Sequence, residues 1–208
     1  MATTTTSPRA ITPRERFLAR LAKVLHHGNA PLALAVTDLD GFAAVNERHG
    51  KGVGDRVLSA WERILDGNLP PDAAVFRLGG DEYAVLVPGA SAENALIILD
   101  EIRTHFASHE IAPVGSVSAS VGVAANPPHG ATAEELWRNA GQALMRAKRQ
   151  GRDRIAIYVE EKMVLKSNYY SRGNLERLAK LSEATSRTEA SLLREALDGL
   201  FDKYRGDL

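Results

Sequence analysis

From Pro13 onward, the hydrophobic and polar positions alternate between helix-like and strand-like patterns. Pro13 to His27 places Phe17, Leu18, Leu21 and Leu25 at helical spacing, behind Thr12 as a cap and Pro13 as a first-turn proline. Pro31 to Asp38 is apolar until its end, which predicts a strand buried on both faces that delivers acids at one tip. Phe42 to His49 predicts a helix, interrupted at Gly50-Lys51-Gly52-Val53-Gly54 and resumed from Asp55 to Leu65. Ala73 to Leu78 and Glu82 to Val87 predict two short strands around Gly79-Gly80, a hairpin with acids at its turn. Ser91 to His109 is amphipathic and helical, and Val117 to Ala124 is β-rich. Glu134 to Gln150 is helical with Gly151 in the stopping position, and Ile155 to Tyr158 adds a last strand.

This order predicts an α/β fold, in detail an α+β sandwich whose helices cover a mostly antiparallel central sheet. After Tyr158 the pattern changes. Val159 to Lys162 is a charged hinge, Met163 to Tyr170 a short extended run, and Asn174 to Thr185 and Thr188 to Tyr204 are two amphipathic helices. The expected organisation is a tail at 1–12, a main domain at 13–158, a hinge at 159–162 and a small β-α-α module at 163–208.

A chain of 208 residues has room for one ordinary domain plus such an appendage. Its 44% hydrophobic and 25% charged content is that of a globular protein. No apolar run approaches the roughly 20 residues that span a bilayer, so a cytoplasmic protein without a membrane partner is expected. Lys+Arg and Asp+Glu both number 26, so any affinity for nucleic acid must come from a local patch. The absence of cysteine excludes disulfides, thiolate nucleophiles and zinc-thiolate sites. The Thr-rich start lacks the apolar core of a signal peptide. The six histidines are scattered and suggest no ligand set, and Trp61 and Trp137 on predicted helices read as packing residues.

Asp38 closes the first core strand and Asp81 sits at the hairpin turn, so adjacent central strands would bring the two carboxylates together. Converging carboxylates make a hard-oxygen site for Mg²⁺, which binds through one or two acids plus phosphate oxygens. Asp40 and Glu82 are placed to join or orient them. Gly79 and Gly80 admit positive φ and close backbone approach, useful where a base or ribose lies on the hairpin. A plain turn with a solvated acid would present the same Gly-Gly-Asp, since short motifs are common.

The motif is not isolated. Phe76-Arg77-Leu78-Gly79-Gly80-Asp81-Glu82-Tyr83 resembles the signature hairpin of the GGDEF family, the diguanylate cyclases. Thr37-Asp38-Leu39-Asp40-Gly41-Phe42, Val45-Asn46 and Gly54-Asp55 match that family upstream, and Ser120-Val121-Gly122-Val123, Ala143-Leu144, Ala147-Lys148, Gly151-Arg152 and Arg154 match it downstream. The resemblance implies a palm-like nucleotide-cyclase fold in which Asp38, the Leu39 carbonyl and Asp81 hold Mg²⁺ (or Mn²⁺). Asp81 and Glu82 would be catalytic, with Asp81 assisting deprotonation of a ribose 3′-hydroxyl. Asn46 and Asp55 would read guanine, a carboxylate accepting from its N–H donors and an amide meeting its acceptors. Gly79 and Gly80 would lie against the substrate, and Lys148 and Arg152, one helical turn apart, would clamp the triphosphate. GTP is the implied substrate, and two domains must face each other, because each 3′-hydroxyl attacks the α-phosphate held by the other.

The chain departs from the family at several points. Ala43 stands where a phosphate-binding lysine is usual, and Lys51 replaces a histidine of the guanine-site loop. The inhibitory-site Arg and Asp would fall on Pro70 and Ala73, so product feedback through that site is not expected. Tyr83 replaces Phe, and Ile11-Thr12-Pro13-Arg14-Glu15-Arg16 replaces the family's opening motif. A weak cyclase is one implication. A regulator that senses GTP or a cyclic dinucleotide without turnover is the alternative, and a dimer without ligand is a third.

The C-terminal module resembles the ribbon-helix-helix family, most closely at Arg187-Thr188-Glu189-Ala190-Ser191-Leu192-Leu193-Arg194-Glu195-Ala196-Leu197. Its leucines cannot be buried within one copy, which implies a homodimer. Duplex DNA is the partner implied by the resemblance. Lys166 and Asn168 on the ribbon would read base edges, and Arg187 with Thr188 at a helix start would seat a backbone phosphate. A leucine-lined hairpin that only dimerises would share the same helical pattern.

Overall fold

The computed structural model describes residues 11–27, 30–160, 169–185 and 187–204. The chain divides into two compact units, Met1–Glu161 and Lys162–Leu208. In the first, the described elements run α1 (Pro13–His27), β1 (Leu32–Leu39), α2 (Phe42–His49), α3 (Lys51–Asn68), β2 (Ala74–Gly79), β3 (Glu82–Pro88), α4 (Ala92–Ala107), β4 (Ala119–Asn126), α5 (Ala133–Arg149) and β5 (Ile155–Ile157). The strands form one sheet in the order β2-β3-β1-β4-β5, antiparallel except for the β4/β5 pair, so the sheet is mixed.

Side chains alternate across this sheet, and each face meets its own helices. Ala33, Ala35 and Leu39 of β1 pack with Val85, Val87, Val121 and Val123 under α2, α3 and α4, where Trp61 and Phe106 meet edge to face at 4.9 Å. Leu32, Leu34 and Val36 point the other way, to Phe17 and Leu21 of α1 and Leu136, Ala140 and Leu144 of α5. Phe17 is fully buried, between Phe76 at 5.3 Å and Trp137 at 5.4 Å.

Two close approaches set the positions of the helices. At Gly122, an added Cβ would stand 2.0 Å from the Leu144 amide nitrogen and 2.3 Å from the Ala140 carbonyl, so only glycine lets α5 lie this tightly on β4. At Gly54, a Cβ would stand 2.0 Å from Asn46 Oδ1. This second contact corrects an expectation. The break between the two helices is confined to Gly50, at φ 82, and α3 begins at Lys51 rather than Asp55. Gly52 and Gly54 are helical, and Gly54 serves packing where turn formation was expected. The start of α5 is fixed by a reciprocal cap, in which Thr132 Oγ1 accepts from the Glu135 amide and Glu135 Oε2 accepts from the Thr132 amide.

The second unit contains α6 (Arg172–Thr185) and α7 (Glu189–Lys203). None of its α6 residues is buried, and Leu175, Leu181, Leu193, Leu197, Leu200, Phe201 and Tyr204 are all exposed. Leu175, Leu178, Leu181 and Leu193 line a groove of about 730 Å³. The expected extended run from Met163 to Tyr170 lies outside the described residues as far as Asn168, and Tyr169 and Tyr170 are in neither helix nor strand. Among the described residues, no helix is long and apolar enough to cross a membrane.

Candidate active site

Strand parity builds the site. Asp38 follows Leu32, Leu34 and Val36 on the face covered by α1 and α5, and Glu82 is its direct partner across the β1/β3 ladder. Gly79 pairs with Glu82, so Gly80 and Asp81 form the turn, with Gly80 at φ 55. Arg77 fastens that turn by donating from Nε and Nη2 to the Gly80 carbonyl at 3.0 and 2.8 Å. The Tyr83 ring is buried, and its hydroxyl donates to Glu62 Oε1 at 2.9 Å, which satisfies the oxygen that distinguishes Tyr from Phe here.

Because α5 is seated at Gly122, its last turn reaches the same place. Lys148 Nζ lies 2.7 Å from Asp38 Oδ2. Burial, and then the charge of Asp38, push the Asp81 carboxyl above the ordinary aspartate range, with Lys148 opposing the shift. Glu82 is raised by the same two causes in the same order. Three carboxylates thus share a partly dry corner with one lysine in contact, and a cation would relieve the remaining repulsion.

Among the described residues, no group of three or more His, Asp or Glu side chains gathers at metal-ligating spacing. Two carboxylates, Asp38 and Asp81, with the main chain at Leu39 beside them, fit an ion that takes its other ligands from phosphate and water, as Mg²⁺ does.

Asp40 was expected to join or orient these acids, and its own contacts run instead to the β4 side and the turn after α5. Its carboxylate accepts from Ser118 Oγ at 2.8 Å, Ser120 Oγ at 2.7 Å and the Asp153 amide at 3.0 Å. Ser118 was missed and Ser120 was read only as part of a family motif, although their alternation in Ser116-Val117-Ser118-Ala119-Ser120 marks a polar row on one strand face.

At the α2/α3 junction the Asn46 side chain lies against Gly54, the residue that precedes Asp55 in α3. Asp55 is exposed and Asn46 half-buried. Ala43 and Lys51 are both exposed.

Arg152 is not where helical spacing put it. The α5 helix ends at Arg149, and Gly151, Arg152 and Asp153 follow with φ of 117, 62 and 45. Lys148 and Arg152 therefore do not share a helix face, because the stop that Gly151 provides falls between them. Holding an L-residue in the left-handed region costs on the order of 1–2 kcal/mol, and Arg152 and Asp153 do so in succession.

In the second unit, Lys166 and Asn168 lie outside the described residues. Arg187 and Thr188 precede α7, and the Arg187 guanidinium is paired with Glu195.

This geometry has counterparts. The family model of the diguanylate cyclase GGDEF domain matches residues 10–154, and the chain belongs to that family. It is 33% identical over 123 residues to diguanylate cyclase DgcM of Escherichia coli K12, covering 59% of this chain and 30% of that protein. It is 35% identical over 135 residues to diguanylate cyclase DgcP of Pseudomonas aeruginosa, covering 64% of this chain and 20% of that protein. The chain thus spans less than a third of either relative's length. Among solved structures, the GGDEF domain of YfiN (TpbB) from P. aeruginosa superposes with a TM-score of 0.66 at 35% identity, over 70% of this chain and 89% of that one. The active GGEEF domain of a diguanylate cyclase from Vibrio cholerae superposes with a TM-score of 0.64 at 26% identity, over 70% of this chain and 94% of that one.

Proposed function

We propose that this protein is a diguanylate cyclase that condenses two GTP molecules into cyclic di-GMP and two pyrophosphates. The observation that carries this reading is the junction of Asp38, Asp81 and Glu82 with Lys148 at the common end of β1, β3 and α5. Asp38, Asp81 and the Leu39 carbonyl are the residues to hold Mg²⁺ or Mn²⁺, which when bound neutralises triphosphate charge and acidifies a nearby hydroxyl. Asn46 and Asp55 receive the guanine edge, and the hairpin at Gly79 and Gly80 leaves room for the nucleoside.

Asp81, at the hairpin turn, is the residue assigned to assist removal of the proton from a ribose 3′-hydroxyl. That oxygen forms a bond to the α-phosphorus of the second GTP, and the bond from that phosphorus to the pyrophosphate oxygen breaks. Lys148 exchanges Asp38 for the leaving phosphates, and Glu82 keeps the local charge that favours a cation. The reaction, repeated in the opposite sense, closes the ring.

Each domain supplies one half-site, so the enzyme works as a homodimer. The exposed leucines of α6 and α7 support assignment of the dimer contact to the second unit. That unit is assigned duplex DNA as its partner on the ribbon-helix-helix resemblance, through Lys166, Asn168, Arg187 and Thr188. Incubation of the purified protein with GTP and Mg²⁺ tests the main reading, with cyclic di-GMP detected by mass spectrometry. No product at any protein concentration would overturn it, and GTP retained without turnover would favour a sensor.

A further inference from the structure

The backbone from Gly151 to Asp153 is held in place by residues distant in sequence. The Asp153 amide donates to Asp40 Oδ2 at 3.0 Å, and Asp40 is itself fixed by the hydroxyls of Ser118 and Ser120 on the β4 side. From α4, Arg103 Nη1 donates to the Asp153 carbonyl at 3.1 Å and to Asp153 Oδ1 at 2.5 Å. Its Nε is tied to Asp100 Oδ1 at 2.8 Å, and its side chain is only 15% exposed. Arg154 Nε donates to the Arg152 carbonyl at 3.0 Å, and the Arg152 amide donates back to the Ala147 carbonyl at 3.2 Å. Among the described residues, Arg152 and Asp153 are the non-glycine positions with positive φ.

Strained backbone persists where surrounding contacts over-determine it, and it concentrates where geometry serves function. An unsupported helix end at Gly151 would relax into ordinary φ values and turn the Arg152 Cα–Cβ bond away from its present direction. We infer that Arg103 and Asp40 are positioning residues, which clamp Asp153 from two sides and so fix the direction in which Arg152 is presented to the triphosphate of GTP. Arg103 touches no substrate and acts through Arg152. This inference rests on the reading of the site as a GTP site, and adds to it a residue that no motif marks.

A double-mutant cycle tests it, using the full chain and binding of a non-hydrolysable GTP analogue measured beside guanosine. Arg152→Ala and Arg103→Met are each expected to weaken the analogue roughly tenfold, the scale of one charge-assisted hydrogen bond, and to leave guanosine unchanged. The double variant should bind no more weakly than Arg152→Ala alone. Arg103→Lys, which keeps a cation at Asp153, should recover part of the loss. Because Arg103 is largely buried, Asp153→Gly provides a second route. Its site is exposed and glycine accepts positive φ freely, so thermal stability should hold while analogue affinity falls, again only when Arg152 is present.

Full additivity of either variant with Arg152→Ala would overturn the inference, as would an equal loss for guanosine. Wild-type protein that binds neither compound would instead overturn the reading of the site, and the inference with it.

Discussion

The two units bury their apolar residues to opposite extents. In the first, both faces of a five-stranded sheet are covered, and Phe17, Leu21, Trp61, Leu99, Phe106 and Leu136 are wholly enclosed. In the second, two helices of similar amphipathic character enclose Leu192 and leave leucines on both helices about half exposed. The difference teaches where stability resides. The first unit satisfies its hydrophobic pattern within one chain, whereas the described residues of the second leave much of theirs exposed.

The largest expected effect lies in the self-sufficient unit. Asp81→Asn should lower turnover by about a thousandfold or more, the scale of losing a group that acts in the transition state. It should not lower stability. A carboxyl raised above 3.8 resists the ionisation that the unfolded chain undergoes, so its charge costs stability above that pH, and the amide relieves the cost at neutral pH. A thermal midpoint below wild type at pH 7 would contradict this electrostatic account.

Next, Phe17→Ala should cost about 3–5 kcal/mol in denaturant unfolding, because it empties a site enclosed by Phe76 and Trp137. Leu181→Asp should do the reverse, leaving unfolding of the first unit unchanged while weakening self-association about tenfold or more by sedimentation. A stable monomeric second unit, or dimers indifferent to Leu181→Asp, would break the contrast between the units.

The smallest effect concerns His129, whose Nδ1 accepts from the Ala125 amide at 3.2 Å and whose burial holds the imidazole below its ordinary 6.5. The neutral ring is the one that fits, so this contribution is complete above that pH and is lost as pH falls toward the depressed folded value. Unfolding measured between pH 7 and 5 should show a shallower loss in His129→Asn, where the amide oxygen replaces Nδ1 as acceptor.

Much of this was legible in the chain. The apolar run of β1 and the paired strands around Gly79-Gly80 follow local rules, and they bring the turn residue Asp81 near Asp38 because Glu82, next in the chain, is the cross-strand partner of Asp38. The start of α3 was misplaced because Gly52 and Gly54 look like loop residues until Asn46 is packed against the second of them. Arg152 was misplaced because helical spacing was carried past Gly151. The Arg103 to Asp153 contact spans 50 residues, and no periodicity signals a pair so far apart. The three donors to Asp40 are likewise 78 or more residues away in the chain, beyond the reach of any local pattern.

The capped start of α5 acquires a meaning from its other end. Thr132 and Glu135 lock one terminus, the pinned turn at Asp153 locks the other, and Gly122 presses the middle onto the sheet. A rod bolted at both ends and bedded along its length neither slides nor rolls. On/off control that leaves this domain intact is expected to act on what is brought up to it more than on the rod that carries the lysine.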